Sequence, residues 1–130
     1  MKTAVRYYSK LGNTRTIAEA IAKGAGVEAV SVTDEPSLQE RVDILFLGGA
    51  PYANIMAPEL KEYAEKLEPS KIGKVILFTT SNWSRRTVLA LKKLLKSKGI
   101  QVQDEYFYAH MLHIKGRIAA AKEFGKTQGG

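Results

Sequence analysis

The sequence predicts an α/β domain in which helices cover both faces of a parallel five-stranded sheet. Short β-prone segments alternate along the chain with segments whose apolar residues recur at helical spacing. Two of the β-prone segments, Asp43–Leu47 and Lys74–Thr79, are almost continuously apolar, as strands are when both faces of a sheet are buried. Because crossovers between parallel strands are right-handed, this alternation is typical of a doubly wound sandwich.

Each strand is predicted from a β-prone run that ends at a polar or glycine-containing turn. The third run, for example, stops at Gly48 and Gly49. The five predicted strands are Val5–Tyr8, Val27–Val32, Asp43–Leu47, Lys74–Thr79 and Ile100–Tyr108.

The helices are predicted from apolar residues three and four positions apart. The first begins at about Thr14 and stops at Gly24 and Gly26. The predicted apolar faces are Ile17, Ala18, Ile21, Ala22 and Ala25 in the first helix, Leu60, Tyr63, Ala64 and Leu67 in the second, and Val88, Leu91, Leu94 and Leu95 in the third. A last helix is expected over Ile118–Phe124, and the weakly patterned segment 36–41 counts as a fifth. We expect one domain over residues 1–130, with 126–130 as a frayed tail.

The composition favours an ordinary globular domain. Of 130 residues, 45% are hydrophobic and 25% are charged. A chain of this length can bury a stable core without disulfide bonds. There is no cysteine, which excludes disulfides and thiolate metal sites. Two histidines, His110 and His113, are too few for a metal site. No apolar run approaches the roughly 18 residues of a membrane helix, and no secretory leader is recognisable. We therefore predict a cytoplasmic protein without a membrane partner.

Charge is distributed unevenly along the chain. The net charge is +7, yet residues 34–68 carry eight acids and three bases. Residues 71–98 carry eight bases and no acid. This basic segment indicates either an acidic partner or nucleic acid, or else only the solvated face of a lysine-rich helix.

Three loops follow the carboxyl ends of predicted strands, where open α/β sheets bind ligands. They are Ser9–Thr14, Gly49–Asn54 and Thr80–Ser84. The first contains hydroxyls and an amide, and Gly12 lets the backbone approach a ligand closely. It leads into the positive N-terminus of a helix, which favours an anion such as phosphate, and Lys10 could add charge. The alternative is a plain turn capped by Thr14.

The other two loops each carry an aromatic residue. Tyr52 lies in the second loop, and Trp83, the only tryptophan, lies in the third. Two aromatic side chains at the same edge of a sheet could enclose a flat ring system. The alternative is that each is an ordinary packing residue of its loop.

These segments resemble the short-chain flavodoxins over essentially the whole chain. Ser9-Lys10-Leu11-Gly12-Asn13-Thr14 is similar to the family's phosphate loop, [ST]-x-T-G-x-T, with Leu11 in place of the middle threonine. "DILFLGGAPYANIMAPEL" resembles the third strand and the loop with an aromatic over the flavin. "KVILFTTSNWSRRTVLALKKLLKSKGIQV" resembles the fourth strand, the second flavin loop and the following helix.

The resemblance implies a flavodoxin-like sheet of strand order 2-1-3-4-5 with FMN at its switch point. It implies phosphate binding by the first loop and stacking of the flavin ring between Tyr52 and Trp83. Backbone groups around Pro51–Asn54 and Thr80–Asn82 would meet the flavin's polar edge. The cofactor-binding residues that we expect are Ser9, Lys10, Leu11, Gly12, Asn13, Thr14, Pro51, Tyr52, Ala53, Asn54, Thr80, Ser81, Asn82 and Trp83.

The implied function is electron transport by an FMN-binding flavoprotein that carries single electrons between redox partner proteins. No catalytic residue is expected, and an electron carrier is favoured over a substrate-specific enzyme. Carriers of this family are typically acidic around the flavin, whereas this chain is basic. Acidic partners are therefore one option, and a flavin-dependent NAD(P)H or quinone oxidoreductase is another. A flavin-free basic interaction module is the third, with nucleic acid disfavoured as a partner.

Overall fold

The computed structural model describes residues 2–52 and 55–129. Their strands are β1 (Thr3–Tyr8), β2 (Ala29–Ser31), β3 (Val42–Gly49), β4 (Pro51–Tyr52), β5 (Ile55–Met56), β6 (Ile72–Ser81) and β7 (Phe107–His110). Their helices are α1 (Asn13–Ala25), α2 (Pro58–Lys66), α3 (Arg86–Ser97) and α4 (Ile114–Gly129), with a short 3-10 turn at Pro69–Lys71. Within the described part of the chain, none of these helices is long and apolar enough to cross a membrane.

Five strands form one parallel sheet of order β2-β1-β3-β6-β7. Counted among the sheet strands alone, this is the order 2-1-3-4-5, so the predicted fold class is confirmed. The central pairing aligns Thr3 with Ile44 and Tyr8 with Gly49. The two-residue strands β4 and β5 form a separate antiparallel pair. The sheet order reverses direction at β1, which makes β1 and β3 the switch point where ligands bind in such folds.

Each face of the sheet has its own core. Side chains alternate between faces along a strand, so Val5 and Phe46 face α1 and α4, whereas Leu45 and Leu47 face α2 and α3. All four are fully buried. Burial on both faces explains why β3 and β6 are so uniformly apolar.

Helices α1 and α4 pack at very short range because glycines lie at their contact. A Cβ on Gly24 would collide with the carbonyl oxygen of Lys122, and a Cβ on Gly125 would collide with that of Ile21. Two glycines, one on each helix, therefore let the backbones touch.

The chain after α3 differs from the prediction in three ways. The fifth sheet strand is only Phe107–His110, because the backbone of residues 100–106 pairs with β6 only at the isolated bridge between Val102 and Val75. The last helix begins at Ile114 and not at residue 118. It continues through the expected tail to Gly129, whose carbonyl accepts a hydrogen bond from the Thr3 hydroxyl.

Two smaller predictions also need correction. Residues 36–41 form no helix, and Leu38 alone anchors this segment in the core. The second strand is shorter than the predicted Val27–Val32, because Val27 instead bonds through its N–H to the carbonyl of Ala22 and closes α1.

Candidate functional site

The three predicted loops lie side by side around a cleft of about 400 Å³. The register of the parallel strands brings the loops together. Tyr8 aligns with Gly49 and Gly49 with Thr79, so the strands end at the same edge of the sheet. The described residues that line the cleft are Leu11, Asn13, Thr14, Ala50, Pro51, Tyr52, Thr80, Ser81, Asn82, Ser84 and Met111. None of these side chains carries a formal charge, so the cleft binds through hydroxyls, amides, backbone groups and apolar contact.

The N-terminus of α1 opens into this cleft without a side-chain cap. Gly12 is the N-cap residue, with φ of 97° in the left-handed region that glycine favours. The first N–H groups of a helix have no partner inside the helix, and here no side chain of residues 2–52 or 55–129 takes them. The prediction that Thr14 caps this helix is therefore wrong, since Gly12 is the N-cap and Thr14 lies in the first turn. The first turn of α1 leaves positively polarised N–H groups for an anion.

Ser9 stabilises the turn of the first loop. Its Oγ accepts a hydrogen bond from the Gly12 N–H at 3.0 Å, which leaves the hydroxyl proton free to donate to a ligand. The Gly12 carbonyl in turn accepts bonds from the N–H and the hydroxyl of Thr16. The loop backbone is thus fixed from both sides.

Thr14 connects two of the loops. Its hydroxyl lies 2.7 Å from the hydroxyl of Thr80 at the end of β6, and both residues are buried. This bond ties the start of α1 to the third loop, at the floor of the cleft.

Leu11 and Lys10 have different positions in the first loop. Leu11 lines the cleft and is 73% exposed, so it forms part of the rim and does not fill the cleft. Lys10 is not among the lining residues. Its N–H donates to the Tyr52 hydroxyl at 2.7 Å, and its ammonium lies 5.8 Å from the centre of the Tyr52 ring.

Tyr52 is a half-buried wall of the cleft. The Tyr8 ring meets it edge to face, with 6.2 Å between centroids. The interaction between the Tyr8 hydroxyl and the Glu59 carboxylate lowers the pKa of Glu59 and raises the pKa of Tyr8. Ala53 and Asn54, which we expected in this part of the site, lie outside the described residues.

Trp83 lies outside the described lining of the cleft, and its ring does not face Tyr52. Its side chain is 77% exposed and is not among the described residues that line the cleft. The ring stacks on Tyr108 at 6.3 Å with a 20° angle between planes, and meets His110 at 4.9 Å. To face Tyr52 across a ligand, the Trp83 side chain would have to turn away from these neighbours.

Three lining residues were missed from the sequence: Ala50, Ser84 and Met111. Met111 follows β7, and its N–H donates to the Ser81 carbonyl at 2.9 Å. The available signal was topological, since every parallel strand of the sheet ends at this edge, including the fifth. The sequence predicts that the fifth strand ends at Tyr108, and the loop after β7 is therefore not among the predicted binding loops.

Comparison with solved structures identifies the fold. An archaeal flavodoxin superposes with a TM-score of 0.80 at 19% identity, covering 99% of this chain and 96% of that one. A Fusobacterium nucleatum flavodoxin mutant bound to flavin mononucleotide superposes with a TM-score of 0.71 at 18% identity, covering 98% and 94%. A flavodiiron protein from Giardia intestinalis has a TM-score of 0.77 at 18% identity, and its matching part is 35% of that longer chain.

Sequence comparison finds no relative: no protein-family model matches the chain, and neither does any curated protein. What the solved structures share with it at 18–19% identity is the architecture. The order of the five sheet strands and the four helices agrees with that architecture. The chain therefore has the flavodoxin-like fold.

Proposed function

We propose that the chain binds FMN in the cleft between its three loops and carries electrons between partner proteins. The observation that carries the proposal is the uncapped N-terminus of α1, which opens into a cleft of about 400 Å³. That volume is in the range of small-molecule sites, about 300–1,000 Å³. FMN fits such a site, because its phosphate could lie at the helix N-terminus and its flat ring could fill the remaining space.

The residues that would hold the phosphate are those of the first loop. Backbone N–H groups at Asn13 and Thr14 and the free hydroxyl proton of Ser9 are donors. No acidic side chain lines the described part of the cleft, so nothing there opposes the two negative charges of a phosphate. Lys10 would strengthen binding through its charge.

The ring would lie against Tyr52, with polar groups at Thr80, Ser81 and Asn82 facing its edge. When bound, FMN supplies the redox chemistry, and the protein supplies position and electrostatics. An electron carrier of this kind needs no acid–base side chain at the ring. The Fusobacterium flavodoxin of the same fold holds this molecule, which supports the proposal.

The test is a fluorescence titration of purified protein with FMN and with riboflavin, which lacks the phosphate. We expect FMN to bind at micromolar concentration or below, and riboflavin at least about tenfold more weakly because the anion site is then empty. Equal affinity for the two flavins would contradict the proposed phosphate site. No binding of either would refute the function.

Two variants sharpen this titration. Ser9→Ala removes one donor and should weaken FMN binding by about 2- to 13-fold, the value of a neutral hydrogen bond. Ser97→Ala is the control, since Ser97 bonds only to the Leu94 carbonyl at the far end of α3. NAD(P)H oxidation by the FMN-loaded protein alone would instead favour the oxidoreductase alternative.

A further inference from the structure

The edge of the sheet that carries the cleft also carries most of the exposed apolar side chains. Seven large apolar residues are exposed in the described part of the chain, and five of them lie at this edge, four in loops and one in the short strand β5. We call these five the apolar rim: Leu11, Ile55, Trp83, Met111 and Leu112. The other two, Leu89 and Ile118, lie on the outer sides of α3 and α4. Apolar side chains clustered in this way mark an interaction surface.

Two sets of contacts relate four of the five rim residues. Trp83 meets the His110 ring at 4.9 Å, and the Leu112 N–H donates to the Nδ1 of His110. Met111 and Leu11 line the same cleft from opposite loops. Residues from the first, third and last loops therefore surround the mouth of the proposed FMN site.

Trp83 is held outward by specific contacts. It is the only described residue other than glycine with positive φ, at 68°. The backbone N–H of Trp83 donates to the Tyr108 hydroxyl at 2.8 Å, and that hydroxyl donates to the Ser81 carbonyl. A strained backbone and a stacked ring together fix an exposed tryptophan, which is the residue type most enriched among interface anchors.

The charges beside the rim are basic. Lys10 lies in the first loop, Arg85 and Arg86 follow the third, and Lys115 follows the loop after β7; all four are exposed. None of them takes part in the ion pairs found among the described residues. Between residues 69 and 122 the only acids are Asp104 and Glu105, which precede β7 and so belong to the opposite end of the sheet. Glu59 in the first turn of α2 is an exposed acid close to the second loop, and the Tyr8 hydroxyl lowers its pKa.

We propose that the apolar rim and its basic frame dock an acidic partner protein, with Trp83 as the anchor and Arg85, Arg86 and Lys115 facing the partner's carboxylates. The inference rests on the proposed function, in that the docked protein is the electron-transfer partner. The rim distinguishes a protein from nucleic acid. Protein interfaces have apolar centres enriched in tryptophan, methionine and arginine, whereas nucleic-acid interfaces are more polar and much more positively charged.

The test is an NMR titration of the full-length, FMN-loaded protein with a short synthetic peptide that alternates glutamate with leucine. We expect amide shifts to concentrate at residues 82–86 and 110–115. Arg85→Glu with Arg86→Glu should weaken peptide binding at least about tenfold and make the remaining binding less dependent on salt, because the attraction that salt screens is lost. Leu112→Ser should weaken binding about fivefold through loss of apolar contact.

Matched controls separate docking from net charge and general stickiness. Lys93→Glu with Lys96→Glu changes the net charge equally on the same helix, away from the rim, and Leu89→Ser removes an exposed leucine outside it. Both should change binding by less than about twofold. Equal loss in the two charge variants, or shifts centred on Lys93–Lys98, would overturn the proposal. A DNA oligonucleotide that binds the same residues more tightly than the peptide would replace the protein partner with nucleic acid.

Parallel FMN titrations keep this proposal distinct from the proposed function. The Arg85/Arg86 variant should retain the FMN affinity of the unaltered chain while losing the peptide. Peptide binding at the rim by a protein that takes up no flavin would preserve the docking surface and refute the carrier. Flavin uptake without any peptide binding at the rim would refute the docking surface and leave the proposed FMN site standing.

Discussion

The hydroxyls of Thr14 and Thr80 lie 2.7 Å apart in the buried floor of the cleft, 66 residues apart in the chain. Each is the only side-chain hydrogen-bond partner of the other among the described residues. Thr14→Val or Thr80→Val should each lower the free energy of unfolding by about 1–3 kcal/mol, because a buried hydroxyl loses its partner. Urea denaturation measures both.

The double variant Thr14→Val/Thr80→Val tests the pairing itself. It should cost less than the sum of the single changes, with a coupling of about 0.5–3 kcal/mol, because neither hydroxyl is then left unpaired. Strict additivity would show that the two residues do not form this bond in solution.

Leu11→Thr should strengthen FMN binding. It restores the hydroxyl that the family pattern has at this position, and one neutral hydrogen bond of about 0.5–1.5 kcal/mol corresponds to about 2- to 13-fold in affinity. Leu11 is 73% exposed, so stability should change by less than about 0.5 kcal/mol. The control is Leu11→Val, which has nearly the shape of threonine without its hydroxyl. If both variants bind FMN alike, the hydroxyl contributes nothing at this position.

Gly125→Ala should destabilise the protein by about 1–3 kcal/mol or more, because the new methyl group would collide with the Ile21 carbonyl between α1 and α4. Gly116→Ala in the same helix is the matched control. A Cβ there has open space, so we expect a gain of up to about 1 kcal/mol from helix propensity. Thermal unfolding of the two variants checks the prediction, and a tolerated alanine at 125 would contradict the close helix contact.

Tyr63 should make stability fall with rising pH above about 10. Burial raises the pKa of Tyr63 to about 12, and the charge of Arg6 offsets this only in part. Because the folded pKa exceeds the ordinary value of 10.0, the phenol ionises first in the unfolded chain. Its contribution is therefore complete below pH 10 and is lost as pH rises through 12, by about 2–3 kcal/mol.

Tyr63→Phe isolates this effect from other groups that titrate at high pH. The Tyr63 hydroxyl is buried without a hydrogen-bond partner among the described residues, so the phenylalanine variant should be at least as stable at neutral pH. Urea denaturation between pH 9 and 12 should then show the smaller decline for phenylalanine. Parallel declines in the two proteins would place the titration elsewhere.

Local pattern predicted the sheet well and the chain after α3 poorly. β3 and β6 are recognisable because both of their faces are buried, which leaves an almost uniform apolar run. Residues 100–106 (IQVQDEY) instead mix apolar with polar residues, and their backbone pairs with β6 only around the bridge between Val102 and Val75. Glycine disfavours a helix, so the sequence alone predicts that α4 ends early. α4 continues to Gly129 because Gly125 and Gly129 pack closely against α1 and β3, and these contacts stabilise the last turns.

The order of residue types along the chain determined which segments are strands, which faces of the helices are apolar, and that loops with Gly12, Tyr52 and Trp83 follow strand ends. These features depend on near neighbours in sequence, so periodicity reveals them. The tertiary structure alone decided that Thr14 bonds to Thr80, that Trp83 stacks on Tyr108 outside the cleft, and that Met111 joins the lining. Such contacts depend on which elements the sheet brings together, because a side chain's direction is set by partners far away in the sequence.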